Sequence, residues 1–275
     1  MKSSILCSSV SVGVTGSLFQ CTAADLATKN PDTLSPDLSV GEAHEWLATN
    51  EYDVAPVVTD AGPQGYADIE VLSDAPSEAT LESHLSTISL SNIIGSDAAF
   101  GDVLTALYET PRYFLGGRNE VTGILTRADL NKSPAYIHLF DRLSTLEERL
   151  TELIIKQEID WKTTVSFDDD TIKAIGKRYQ RAQQANIDLA EIHYAQFSTL
   201  TRIVSESESC WRACGFSSPG SASRQLNELR KLRNAVAHSN LVLETTSDGV
   251  LEQGRTVSDL EQIYRTLQQC LAELG

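Results

Sequence analysis

Hydrophobic and polar positions in the first part of the chain predict one helix followed by two strands. Apolar residues at helical spacing cover residues 40–50, and Ser39 directly before them is a suitable N-cap. Residues 53–59 form a short apolar run, and residues 66–72 alternate well enough for a second strand. These patterns predict a small α/β unit over residues 22–74.

The same order of elements recurs further along the chain. A helix is predicted over residues 98–109 and strands over 112–115 and 121–126, and Ala128 opens another helix. Two copies separated by roughly fifty to sixty residues indicate an internal duplication. The second α/β unit therefore spans about residues 92–138.

Strand patterns nearly vanish after this point, and apolar residues recur at helical spacing to the end of the chain. The pattern predicts an all-α four-helix bundle over residues 139–275, so that the fold class of the whole chain is α+β. The predicted helices span residues 134–158, 168–205, 222–238 and 257–274.

Charge narrows the range of partners. The 275 residues carry a net charge of −16 with a pI near 4.7, which argues against general coating of nucleic acid. Any RNA site must then be a local basic patch. One predicted helix carries such a stripe, formed by Lys173, Lys177, Arg178 and Arg181. Alternatively, these cations are a solvated helix face that balances the acidic residues 168–170.

The N-terminus and the cysteines bear on location. Residues 1–21 are interpreted as a leader or a strand-like N-terminus. The sequence contains no run of ~18 apolar residues, so no membrane span is expected. Five cysteines are an odd number without framework spacing, which favours free thiols and a reducing cytoplasm.

The second α/β unit ends in a motif with nucleotide-binding chemistry. Gly123, Ile124, Thr126 and Asp129 have the spacing of the phosphate and ribose signature of CBS domains, and residues 22–138 resemble a tandem CBS-domain pair. The resemblance implies a regulatory AMP, ADP or ATP, with phosphate at the Thr126 hydroxyl and the following helical amides and ribose at Asp129. We expect Ile94 and residues 112–114 to hold the base.

Two observations allow a different interpretation of this region. The first unit has Asp68 in place of the threonine and Val71 in place of the aspartate, so at most one nucleotide site of this kind is expected. Thr126 and Asp129 could also simply form a capping box at a helix start. The pair would then be a dimerisation scaffold without ligand.

The predicted helix over 222–238 carries the densest group of side chains capable of catalysis. Arg230, Asn234 and His238 recur every four residues, and Arg233 precedes Asn234. Phosphodiester cleavage without a metal needs a histidine to move a proton, an arginine to neutralise phosphate charge and an orienting polar group. Ordinary solvated charges and a histidine at a helix C-terminus are the structural alternative.

Arg233, Asn234 and His238 also fit the Arg-x4-His signature of HEPN domains, which residues 139–275 resemble. The resemblance implies a metal-independent endoribonuclease of toxin or defence type that needs no cofactor, acts as a homodimer and leaves a 2′,3′-cyclic phosphate. An antitoxin or another regulatory partner would accompany such a toxin. Five residues turn a helix by about 140°, so Arg233 is expected to meet the histidine of a second copy.

Two hypotheses follow. In the first, the chain is a nucleotide-regulated endoribonuclease with Arg233, Asn234 and His238 as catalytic residues and with Lys173, Lys177, Arg178, Arg181 and Arg230 as RNA contacts. In the second, it is a non-catalytic nucleotide sensor or scaffold whose helical part binds RNA or a protein partner.

Overall fold

The computed structural model describes residues 20–117, 119–244 and 254–275. Most of the predicted residues 1–21 and of the predicted turn-rich link before the last helix therefore lie outside the described residues. The strands are β1 Thr28–Lys29, β2 Val54–Thr59, β3 Gly62–Asp68, β4 Ile93–Ile94, β5 Arg112–Gly117 and β6 Glu120–Thr126. The helices are α1 Ala23–Leu26, α2 Val40–Thr49, α3 Ile69–Ser73, α4 Phe100–Glu109, α5 Ser133–Lys156, α6 Trp161–Thr164, α7 Asp169–Gln184, α8 Phe197–Glu206, α9 Glu208–Ala213, α10 Pro219–Ala237 and α11 Val257–Leu274.

The first unit is a helix followed by a two-stranded hairpin. Ser39 caps α2 as predicted, since its hydroxyl accepts from the Glu42 amide and the Glu42 carboxylate accepts from the Ser39 amide. The prediction of a strand over 66–72 was wrong in its second half. β3 ends at Asp68, whose side chain accepts from the Glu70 amide and starts α3 instead.

The second unit repeats this hairpin inside a larger sheet. Strands lie in the order β1-β6-β5-β4, with β4 parallel to β5 and the other pairs antiparallel. Val54 pairs with Asp68 in the first hairpin, and Arg112 pairs with Thr126 in the second. The two hairpins are thus duplicates in register, with Val54 equivalent to Arg112 and Asp68 equivalent to Thr126.

The described residues after the second unit are helical and contain no strand, so the α+β class is confirmed. Helices α5, α8, α10 and α11 pack against one another. The predicted continuous helix over 168–205 was wrong, because Asn186 takes a positive φ of 57° and ends α7. A 3₁₀ turn, Glu191–Tyr194, packs on α7 before α8 begins. The relation of this bundle to HEPN domains stays a prediction.

One hydrophobic core runs through the second unit and the helical part. The Phe100 ring of α4 lies 4.8 Å from the His138 ring and 5.1 Å from the Tyr264 ring, measured between centroids. His138 Nε2 and Tyr264 Oη are 2.8 Å apart and buried. A Cβ at Gly101 would lie 3.3 Å from the Tyr264 ring, so α4 and α11 pack closely. The core therefore crosses the predicted domain boundary between residues 138 and 139.

The first unit has a separate core, built from α2, the β2-β3 hairpin and the residues that follow it. A small cluster of Val54, Phe114 and Ile124 connects it to the second unit. Among the described helices, none combines the length and the apolar character that a membrane crossing requires.

Candidate functional site

A cleft of about 420 Å³ lies between the two α/β units. It is formed by β1 and the loop after it, the segment between α2 and the start of β2, the start of β5, and the end of β6 with the residues that follow it. The cleft is lined by Thr28, Asn30, Pro31, Asp32, Glu51, Tyr52, Asp53, Val54, Pro111, Arg112, Ile124, Thr126, Arg127 and Ala128. Its walls are mixed polar and apolar, and its volume suits a small ligand.

The residues of the second-unit motif take different positions around this cleft. Thr126 and Ile124 line it, whereas Gly123 and Asp129 do not. Gly123 pairs with Lys29 of β1, and a Cβ there would lie 3.3 Å from the Thr28 carbonyl oxygen, so glycine permits this strand pairing. Ile94, expected near the base, also lies outside the lining.

Asp129 is buried and caps the 3₁₀ turn Arg127–Asn131. Its Oδ2 accepts from the Thr126 amide at 2.6 Å and from the Thr126 hydroxyl at 3.1 Å. Its Oδ1 lies 2.6 Å from Lys132 Nζ. The capping box that the sequence allowed is therefore formed, and it holds the Thr126 side chain at the cleft wall.

Arg112 connects the two units at the cleft. Its guanidinium forms an ion pair with Asp68 and lies 5.9 Å from the centroid of the Tyr66 ring. The Arg112 side chain is 24% exposed and the Asp68 side chain 8%, so the cation faces the cleft while the carboxylate is buried behind it. Asp68 and Thr126 are equivalent by the duplication, but Asp68 is paired with Arg112 whereas Thr126 lines the cleft.

The opposite lip of the cleft is acidic. Asp32, Glu51 and Asp53 are exposed and line it. The Tyr52 hydroxyl donates to Asp32 at 3.2 Å, and this bond raises the pKa of Tyr52. Arg127, at the floor, is buried and donates to the carbonyls of Leu107 and Tyr108 at the end of α4.

The predicted catalytic residues do not converge within one chain. Arg233 lies beside α5, where its guanidinium is 3.8 Å from the Glu147 carboxylate. Asn234 lines a groove of about 650 Å³ between α10 and α11, and His238 is exposed as the C-cap of α10. Within the described residues, no hydrogen bond or ion pair joins these side chains, and only the His238 amide reaches the Asn234 carbonyl.

Glu147 is the neighbour of Arg233 that sequence reasoning missed. Burial raises the pKa of Glu147, Arg233 lowers it in part, and Glu148 raises it further. The only signal in the sequence was a glutamate on the polar side of the predicted helix over 134–158, which does not identify its partner on α10.

The raised pKa makes a prediction about stability. A carboxyl with a raised folded-state pKa binds its proton more tightly in the folded state, so stability falls as pH rises through the interval above the ordinary glutamate value. We expect Glu147→Gln to remove this part of the pH dependence. Urea midpoints of both proteins between pH 4 and 7 check it, and parallel curves for wild type and variant would refute it.

The predicted RNA contacts lie mainly on α7. Lys173, Lys177, Arg178 and Arg181 are exposed, and no carboxylate of the described residues forms an ion pair with them. Arg178 donates to the Tyr194 carbonyl at 3.0 Å. Arg230, on α10, is partly buried and donates to Asn227, so it is not part of this stripe.

No protein-family model matches the chain, and no curated protein matches it in sequence. The solved structures that it resembles are CBS-domain proteins, matched over about the first 40% of the chain. The CBS domains of a transcriptional regulator from Streptococcus pneumoniae are 15% identical, with 40% of this chain and 95% of that chain covered and a TM-score of 0.35.

Two further structures give similar values. A CBS domain-containing protein from Bacillus anthracis is 16% identical, with 41% of this chain and 91% of that chain covered and a TM-score of 0.36. CBSX2 in complex with AMP is 21% identical, with 40% and 92% covered and a TM-score of 0.35. At these values the family and the function have to be argued from the residues.

Proposed function

We propose that the cleft between the two α/β units is the binding site of a regulatory adenine nucleotide, in a pair of CBS type. The observation that carries the proposal is the position of Thr126 in the cleft. Its side chain stands at the start of the 3₁₀ turn Arg127–Asn131, across the β5-β6 pair from Arg112, where a phosphate would find a cation and, once the hydroxyl turns away from Asp129, a hydroxyl donor. Asp129 fixes the turn, and the carboxylates on the other lip can accept from ribose hydroxyls.

The asymmetry of the duplicated hairpins supports one site per chain. At the first-unit position equivalent to Thr126, Asp68 already binds Arg112 and caps α3. A second nucleotide at that position would have to displace a buried ion pair, which costs several kcal/mol per uncompensated charge.

For the helical part we propose RNA cleavage without a metal, by a site shared between two copies of the chain. His238 would take the proton of a ribose 2′-hydroxyl, whose oxygen attacks the adjacent phosphorus. The bond between phosphorus and the 5′-oxygen of the next nucleotide breaks, and this oxygen takes a proton from the protonated His238 or from water, which gives a 2′,3′-cyclic phosphate and a 5′-hydroxyl. Arg233 would stabilise the charge on the phosphorane, and Asn234 would orient the substrate.

The positions of these side chains favour a shared site over a local one. Arg233 lies against α5 and Asn234 lines the groove between α10 and α11, about 100° apart around the helix, and His238 follows at the end of α10. Exposed apolar residues surround this end: Ile137 and Phe140 lie one turn apart on α5, and Leu241 follows three residues after His238. Their apolar surface suits the docking of a second copy.

A direct connection between the cleft and the His238 segment supports regulation. Asn131, at the end of the turn that begins after Thr126, accepts from the Val242 and Leu243 amides at 2.9 and 3.0 Å and donates to the Leu243 carbonyl at 2.8 Å. Tyr136 donates to the Asn240 carbonyl at 2.7 Å. A ligand that moves the turn at Thr126 therefore acts on the chain that positions His238.

The proposal is tested by RNA cleavage in EDTA, with and without AMP, ADP or ATP, for wild type and for Asn131→Ala. We expect wild type to cleave RNA at a rate that a nucleotide changes, and Asn131→Ala to bind the nucleotide without this change in rate. A nucleotide effect that is the same in the variant refutes the connection.

A non-catalytic sensor remains the second candidate, and the exposed cations of α7 favour it as an RNA-binding protein. If wild type binds single-stranded RNA through Lys173, Lys177 and Arg181 but produces no cyclic phosphate, the chain belongs to this class. The slope of log affinity against log salt would then fall by about 2 when the three cations are replaced by glutamine.

A further inference from the structure

We propose that Arg112 determines the ligand specificity of the cleft, and that the cleft selects a nucleoside monophosphate over a triphosphate. This inference rests on the proposed nucleotide site. It assigns a role to a residue outside the motif and decides among the three adenine nucleotides by the charges that line the cleft.

The geometry of Arg112 is that of a prepositioned anion donor. A guanidinium has five N–H donors, and the contact with Asp68 leaves donors on its cleft side. Asp68 is itself fixed, because it is buried and caps α3. The Tyr66 ring below the guanidinium restricts it further. The side chain is therefore ordered before the ligand arrives, which reduces the entropy cost of binding.

Of the two arginines that line the cleft, Arg112 is the more exposed. Arg127 lines the same cleft, but it is buried and its Nε and Nη2 donate to the carbonyls at the end of α4. Lys132 does not line the cleft and lies against Asp129. A phosphate at Thr126 would therefore be neutralised chiefly by Arg112.

The acidic lip sets the limit on charge. Asp32, Glu51 and Asp53 line the cleft together with the partly exposed guanidinium of Arg112, whose charge Asp68 already offsets in part. A single phosphate can stay on the Arg112 side. The β- and γ-phosphates of a triphosphate add at least two negative charges to a cleft of about 420 Å³, where the three carboxylates repel them.

Isothermal titration of the full chain with adenosine, AMP and ATP, without divalent cations, tests the proposal. Wild type is expected to bind AMP at least about 10-fold more tightly than ATP. Arg112→Met is expected to weaken the binding of AMP about 10- to 100-fold, which corresponds to the loss of a charge-assisted hydrogen bond. The same variant should weaken the binding of adenosine by less than about 3-fold. Arg112→Lys keeps the charge but lacks the planar guanidinium, so its affinity for AMP should lie between those of wild type and Arg112→Met.

Two further variants complete the design. Asp32→Asn with Asp53→Asn should raise the affinity for ATP relative to that for AMP several-fold, because two of the carboxylates that repel the additional phosphates are neutralised. Arg149→Met, which removes a surface arginine paired with Glu152, is the matched control and should bind as wild type does. Thermal unfolding of each variant identifies any that is misfolded, and Arg112→Lys then takes the place of Arg112→Met.

The outcomes separate this inference from the proposed function. If Arg112→Met leaves the AMP-to-adenosine affinity ratio unchanged, or if wild type binds ATP as tightly as AMP, the inference is overturned while the nucleotide site stands. If neither adenosine, AMP nor ATP binds wild type, the proposed site fails and this inference fails with it.

Discussion

Replacing His238 with alanine is expected to lower the rate of RNA cleavage by about 10²- to 10⁴-fold, the usual contribution of a general base or acid. Folding should not change, because the side chain is exposed at the end of α10. Arg233→Ala should lose activity to a similar extent. The product assay is the formation of 2′,3′-cyclic phosphate in EDTA, with the exposed Arg212→Ala on α9 as the matched control.

A mixing experiment decides whether the site is shared. If Arg233 of one copy acts with the histidine of the other, an equal mixture of Arg233→Ala and His238→Ala chains forms heterodimers with one intact site of two. Equilibrated chains are half heterodimers, so about a quarter of wild-type activity should return by the closed symmetry of a dimer. No recovery after verified exchange of chains would contradict the shared site.

Phe100→Ala is expected to destabilise the helical part of the protein, although Phe100 belongs to the second α/β unit. Its ring is 1% exposed and packs on His138 and Tyr264, so its removal should cost about 3–5 kcal/mol. Trp161 and Trp211 lie in the same core and report on it by fluorescence once Trp46 is replaced by phenylalanine.

Leu47→Ala is the matched control, since Leu47 is fully buried in the separate core of the first unit. In the same Trp46→Phe background, Leu47→Ala should lower the unfolding midpoint reported by Trp161 and Trp211 less than Phe100→Ala does. If Phe100→Ala left the Trp161 and Trp211 midpoint unchanged, the two parts would not share one cooperative core.

Local patterns predicted much of the secondary structure. The Ser39 cap, the apolar stripes of α10 and α11 and the duplicated hairpins follow from short-range spacing, and the structure confirms them. The end of α7 could not be predicted, because Asn186 takes a left-handed conformation inside a pattern that continues at helical spacing. Which stripe faces which neighbour was likewise undetermined, so the core that joins Phe100 to Tyr264 was not foreseen.

The candidate site was predicted in part. Thr126 lies in the cleft, and the capping role of Asp129 was an open alternative that the structure contains. Asp68 was recognised as the residue that replaces the threonine in the first unit, but its ion pair with Arg112 was not predicted. Such pairs join residues that are distant in sequence, 44 positions apart here, and a single sequence contains no signal for them.

Hydrogen exchange of the wild-type chain with and without saturating AMP tests the central claim most directly. The account predicts slower exchange at residues 107–112 and 124–131, around the cleft, and a change at residues 238–244, which Asn131 and Tyr136 hold. Unchanged exchange in all three segments, with AMP present at a concentration that would saturate a micromolar site, would contradict it.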